Sequence, residues 1–148
     1  MPNAKRDLLL HAIVYVSTAE HPLSAAEIDH LLERARARNE VEGVTGVLLY
    51  SRGNFMQFIE GSAAGMATVY AAITADPLHH GIIELVNEPR TSREFAEWAM
   101  AFRSVDALGV EHSNVNEALL SDKLEQPTDA FSPARVLLSG FWHRSLGL

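Results

Sequence analysis

Cysteine is absent from the 148-residue chain, which excludes disulfides, thiolate metal sites, cysteine nucleophiles and cysteinyl adducts with a cofactor. Basic residues are a minority: twelve Lys and Arg stand against nineteen Asp and Glu, for a net charge of -7. That balance works against undirected binding to nucleic acid or anionic membrane, so neither is expected as a partner, and any phosphate must be gripped locally. Long apolar runs are also missing. The longest, at residues 8–10 and 44–50, fall far short of the ~20 residues that a bilayer-spanning helix needs. The leading MPNAKRD has no apolar stretch running to a small-residue cleavage site, so a cytoplasmic location is expected. There is no internal repeat or low-complexity tract, and the length suits one globular domain with a proper core.

Residues 8–17 (LLLHAIVYVS) are β-rich, and a period of two puts His11, Ile13, Tyr15 and Ser17 on one face and Leu8, Leu10, Ala12, Val14 and Val16 on the other. Ser24 followed by Glu27 reads as a capping box opening a helix to about Arg38, with Ile28, Leu31, Leu32 and Ala35 as its buried stripe. Helical spacing carries that stripe on to Asn39. GVTGVLLY (43–50) and FMQFIE (55–60) read as strands joined by the turn-rich 51–54. Ser62 caps a second helix with Met66, Val69, Tyr70 and Ile73 inward, and Asp76-Pro77 stops it. GIIELVN (81–87) is a fourth strand and residues 98–102 a fifth.

The predicted fold is α+β, a ferredoxin-like βαββαββ sheet with two helices on one face. From about Ser104 the character changes, and residues 112–124 and 132–146 read as a C-terminal helical hairpin. The expected organisation is a domain at 1–103 followed by a helical extension at 104–148.

Gln57 does not fit its surroundings. It sits inside an apolar strand, where an unpaired amide costs roughly 1 to 3 kcal/mol. Strands one and three are neighbours in this topology, so Tyr15 and Gln57 can lie side by side, the hydroxyl donating to the amide carbonyl. The residues alone leave two readings open. Tyr15 and Gln57 form an ordinary core pair with Asn39 as a helix C-cap, or the three converge on a bound group.

The ordered string Tyr15-Val16-Ser17, Arg38-Asn39, Val44-Thr45-Gly46-Val47-Leu48-Leu49-Tyr50, Phe55-Met56-Gln57-Phe58-Ile59-Glu60-Gly61, Asp76 with His79, and Phe95 to Met100 resembles the BLUF family of blue-light sensor domains that use FAD. The resemblance covers about residues 7–103. It implies a flavin ring lying between the two helices, with Tyr15 the photoactive donor, Gln57 the switching amide beside flavin N5 and the C4 carbonyl, and Asn39 holding the pyrimidine edge. By the same resemblance Ser17, Trp98 and Met100 flank the glutamine, and Ile28, Leu32, Arg38 and His79 complete the expected cofactor contacts. One departure stands out: members often carry Arg immediately before that histidine, whereas this chain has Leu78-His79-His80. Arg38, Arg34 or His80 are the candidate substitutes. The Arg34, Arg36 and Arg38 series reads in part as a solvent-facing surface laced with Glu33, Glu40 and Glu42. No metal site is expected at His79-His80, because no third ligand has suitable spacing.

The expected function is a blue-light photoreceptor in which electron and proton transfer between Tyr15, Gln57 and flavin rearranges hydrogen bonds. The roughly forty-five residues beyond the sensor are too few for a cyclase, phosphodiesterase or kinase, so a non-enzymatic sensor signalling through a partner protein is expected. The competing readings are a small ferredoxin-like flavin- or heme-utilising enzyme and a cofactor-free interaction domain. The tail helix carries Leu137, Leu138, Phe141 and Trp142 as an apolar stripe, and the hairpin of residues 112–146 is expected to pack on the sheet face away from the flavin, in its own chain or a neighbour's, and to contribute to a homo-oligomer.

Overall fold

In the computed structural model, residues 9–96, 98–104 and 133–145 are described. The strands are β1 (Leu10–Ala19), β2 (Thr45–Ser51), β3 (Asn54–Gly61), β4 (His79–Arg90) and β5 (Ala101–Ser104), and the helices are α1 (Ala25–Glu42), α2 (Ala63–Ala75) and α3 (Pro133–Ser145). They form one five-stranded mixed sheet in the order β4-β1-β3-β2-β5. The first four strands pair antiparallel and β5 runs parallel to β2, the α+β ferredoxin-like arrangement with one strand added.

Local chemistry fixes the helix ends. Ser24 Oγ accepts the Glu27 N–H while Glu27 Oε1 accepts the Ser24 N–H, both at 3.1 Å, a reciprocal capping box. Ser62 Oγ likewise accepts the Gly65 N–H at the start of α2. The helix α1 runs one turn beyond the expected end. It stops at Gly43, which adopts φ 67° and returns its N–H to the carbonyls of Asn39 and Glu40. Asn39 is therefore an interior helical residue, and its reading as a C-cap is overturned.

Alternation along the strands divides the interior into two cores. On the helix side Ile13, Tyr15, Leu48, Phe55 and Ile59 pack with Ile28, Leu32, Met66, Val69 and Ile73. On the far side Ala12, Val14, Val47, Leu49, Met56 and Phe58 pack with Phe95, Trp98 and, from α3, Ala134, Leu138 and Trp142. The tail helix thus covers the sheet face away from α1 and α2 within its own chain, as its stripe predicts. Leu137 and Phe141 pack at the margin. The other half of the expected hairpin, residues 112–124, lies outside the described residues. No helix among the described residues is long and apolar enough to cross a membrane.

The segment between β4 and β5 is tied to the sheet by polar contacts. The buried Glu60 carboxylate accepts the Glu94 N–H on both oxygens, at 3.0 and 2.8 Å, and the Phe95 N–H at 2.8 Å. The Arg93 guanidinium donates to Thr45 Oγ1 and to the carbonyls of Glu60 and Gly43. Burial pushes the Glu60 carboxyl above the ordinary carboxylate range, against the lowering pull of the Phe95 and Glu94 amides and of Arg93 and Arg90.

Candidate cofactor site

Residues from α1, the sheet and the end of α2 enclose a slot. Tyr15, Leu48, Phe55 and Gln57 form its floor, Leu31, Ala35 and Arg38 one wall, and Ile73, Asp76, Leu78 and His79 the other. The slot is partly open to solvent. Tyr15 and Gln57 are direct cross-strand partners, and both are buried. The Tyr15 hydroxyl donates to Gln57 Oε1. The freed amide nitrogen of Gln57 lies 3.5 Å from the Met100 sulfur, a weak acceptor. Burial pushes the Tyr15 phenol well above its ordinary value; the neighbouring Tyr70 and Asp76 add to the shift and Arg38 opposes it. Tyr15 is thus held as a neutral hydrogen-bond donor.

Arg38 lines the slot, while Asn39, next to it in the chain, is not among the lining residues; Arg38 Nε and Asn39 Oδ1 are both buried with no hydrogen-bond partner. Burial lowers the Arg38 pKa; Arg34 adds to the shift and the Asp76 carboxylate opposes it. An unpaired cationic donor beside an unpaired amide oxygen suits a ring edge that alternates carbonyl acceptors with an imide N–H. The pyrimidine edge of a flavin has that pattern, and the donor set fits the expected cofactor. The other end of the Asn39 amide is already used, since Nδ2 donates to the Ala99 carbonyl at 2.6 Å.

The remaining expected site residues divide. His79 lines the slot, its Nε2 2.7 Å from the Ile73 carbonyl and its Nδ1 2.7 Å from Ser17 Oγ; a carbonyl only accepts, so Nε2 carries the proton. Ser17 therefore braces His79. Met100 lies on the slot side of the sheet, whereas Trp98 lies in the opposite core, stacked on Phe95 with ring centroids 5.9 Å apart. In an extended segment residues two apart face the same way only if the backbone stays regular, and the chain bends here before β5. Ile28 and Leu32 are fully buried under the helix, while Leu31 and Ala35, on the adjacent helical row, line the slot. All four belong to the stripe expected from sequence, from which Ile28 and Leu32 are the expected cofactor contacts. His80 is engaged with Glu20 at 2.7 Å, and Arg34 lies 3.6 Å from Asp76.

The family model described as "Sensors of blue-light using FAD" matches residues 10–101. The chain belongs to the BLUF family. A photoactivated adenylate cyclase subunit alpha from Euglena gracilis is 36% identical over 99 residues, covering 66% of this chain but 10% of that protein. The chain spans about a tenth of the length of this and similar photoactivated adenylate cyclase subunits. Among solved structures, the dark state of the BLUF protein BlrB aligns over 94% of this chain and 97% of that one, with TM-score 0.65 and 28% identity. Klebsiella pneumoniae BlrP1 with FMN and cyclic diGMP aligns over 89% of this chain and 34% of that one, with TM-score 0.71 and 25% identity. BLUF domains are flavin-binding light sensors, and the FAD expected from the sequence is the cofactor in the family's description.

Proposed function

We propose that this chain is a photosensor that detects blue light with FAD and passes the signal to a partner protein without catalysing a reaction of its own. The observation that carries the reading is the buried hydrogen bond from Tyr15 to Gln57 at the floor of the slot. Bound flavin supplies light absorption and, once excited, an acceptor for an electron and a proton. The chain's residues then have distinct tasks. Tyr15 presents a neutral hydroxyl, and Gln57 offers a side chain with an acceptor at one end and a donor at the other, so its rotation or tautomerisation changes which groups are bonded. Arg38 and Asn39 hold the ring edge, and His79, braced by Ser17, closes the slot. Trp98, across the sheet, acts on the switch only through the backbone of its segment.

In this reading the sensor occupies residues 1–103 and the extension 104–148 carries the output, in the cytoplasm and in a homo-oligomer. The full protein should be yellow when purified and should show a reversible redshift of flavin absorption under blue light, because a changed bond at the C4 carbonyl alters the chromophore. A protein that stays colourless after incubation with FAD would refute the reading. Light-scattering masses in darkness and in light test the oligomer.

A further inference from the structure

The three carbonyls that precede β5 are each held by a different group. Gly46 N–H of β2 donates to the Trp98 carbonyl at 3.0 Å, Asn39 Nδ2 to the Ala99 carbonyl at 2.6 Å, and Arg36 Nε to the Met100 carbonyl at 2.9 Å. The strand that follows has four residues and pairs on one side only, its ladder with β2 beginning at Ala101. Burial of Ala101 and Phe102 fixes the register of the strand itself, while Met100, just before the ladder, relies on the bonds to the carbonyls of its segment. A slip of one residue would turn the Met100 side chain away from Gln57.

We propose that Arg36 is a positioning residue for the light switch: by holding the Met100 carbonyl it sets the Met100 sulfur against the Gln57 amide. The inference rests on the photosensor reading and deepens it. Arg36 was read from sequence as part of a solvent-facing series, yet its side chain turns inward. Burial lowers its pKa, and one of its terminal nitrogens, Nη2, is buried without a partner. Asn39 spends its Nδ2 on the Ala99 carbonyl, whereas Arg36 bonds the carbonyl of Met100 itself, and neither residue is among those lining the slot. Arg36 is thus the α1 side chain that bonds the Met100 backbone directly. A charged donor to a backbone carbonyl is among the stronger hydrogen bonds available for this purpose.

The test uses the full chain loaded with FAD and labelled at its methionine methyl groups. Four methionines are present, and Met100→Leu assigns the resonance of interest. Arg36→Gln should move or broaden the Met100 methyl signal while leaving that of Met56 in place. It should also change the rate of thermal return from the lit state by about threefold to tenfold, the range that one net hydrogen bond supplies. Arg36→Lys, which keeps a charged donor, should restore both readouts and remains informative if the Gln variant does not fold. In the Met100→Leu background the Arg36 effect on recovery should shrink, since the two act as a unit. An unmoved Met100 methyl in Arg36→Gln, or a recovery effect of full size in the Met100→Leu background, would overturn the proposal. A wild-type protein with no light-induced shift would instead refute the photosensor reading, and the methyl comparison, which needs no light, would still decide the role of Arg36.

Discussion

The Gln57 amide nitrogen faces the Met100 sulfur across 3.5 Å, while the other end of the same amide receives the Tyr15 hydroxyl. One end is bonded to a hydroxyl and the other only weakly to sulfur; turning forfeits little at the sulfur end, and the Tyr15 hydroxyl, which accepts as well as donates, can receive the amide N–H instead. Gln57→Leu removes both ends in a side chain of similar volume. The variant should bind flavin and fold with a loss of about 1 to 3 kcal/mol, because the buried Tyr15 hydroxyl loses its acceptor, and it should show no light-induced redshift. Difference spectra with flavin occupancy measured on the same sample check this.

Tyr15→Phe leaves the slot floor packed but removes the donor. Gln57 Oε1 then lies buried without its partner, at a cost of about 1 to 3 kcal/mol, and the photocycle should be lost with flavin retained. Burial of the phenol also has a pH signature. A raised tyrosine pKa means that the neutral form is favoured by folding, so this stability is fully present below about pH 10 and is lost as pH rises beyond it. Below about pH 11, the phenolate absorbance of folded wild type and Tyr15→Phe should therefore rise together. A smaller rise in the variant would show that Tyr15 ionises within the fold.

Glu60 gives a second pH dependence with the same sign. Its folded pKa is raised, chiefly by burial, so its contribution is fully present below the ordinary carboxylate pKa and fades as pH rises through the folded value. Glu60→Gln cannot titrate. The stability of wild type relative to this variant should increase as pH falls from about 7 to about 4, measured by urea unfolding at each pH. A difference that shrinks over the same range would contradict the shift.

Gly46 has no room for a side chain. A Cβ there would lie 2.1 Å from the Phe58 carbonyl oxygen on the neighbouring strand, and neither backbone can retreat without breaking the β2–β3 ladder. Gly46→Ala should destabilise the fold by at least about 2 kcal/mol. Because its N–H also holds the Trp98 carbonyl, the displaced backbone should alter the Trp98 fluorescence spectrum of the folded fraction.

Much of this architecture was legible in the residues because local signals agreed with one another. The Ser24 and Glu27 capping box, the alternation that separates Tyr15 from Val14, and the stripe on α3 each specify a burial pattern that the packing obeys. The pairing of Tyr15 with Gln57 also followed, since neighbouring strands one and three put an otherwise costly amide beside a hydroxyl. What was not legible depends on rotation and reach. A stripe does not say which of its rows faces a slot, so Leu31 and Ala35 were not separated from Ile28 and Leu32. The inward turn of Arg36 had no signal in a series of alternating arginines. Within the family pattern, Thr45-Gly46 and Glu60-Gly61 are not among the residues that line the slot. Thr45 and Glu60 anchor Arg93, Glu94 and Phe95, a joint made between segments more than thirty residues apart.

Glu94 carries that joint further. Its backbone is fastened to Glu60 on β3, and its carboxylate meets Arg90 of β4 at 3.2 Å and Arg135 of α3 at 3.3 Å. The tail helix is consequently moored twice, by the oily contact of Leu138 and Trp142 with the sheet and by an ionic hawser that leads through one residue to the strand bearing Gln57. Salt acts on these moorings in opposite directions, slackening the ionic line and tightening the apolar one when the anion is a kosmotrope such as sulfate. Chloride and sulfate at matched ionic strength therefore separate how firmly α3 sits on the sheet from how closely it is yoked to the movements of β3.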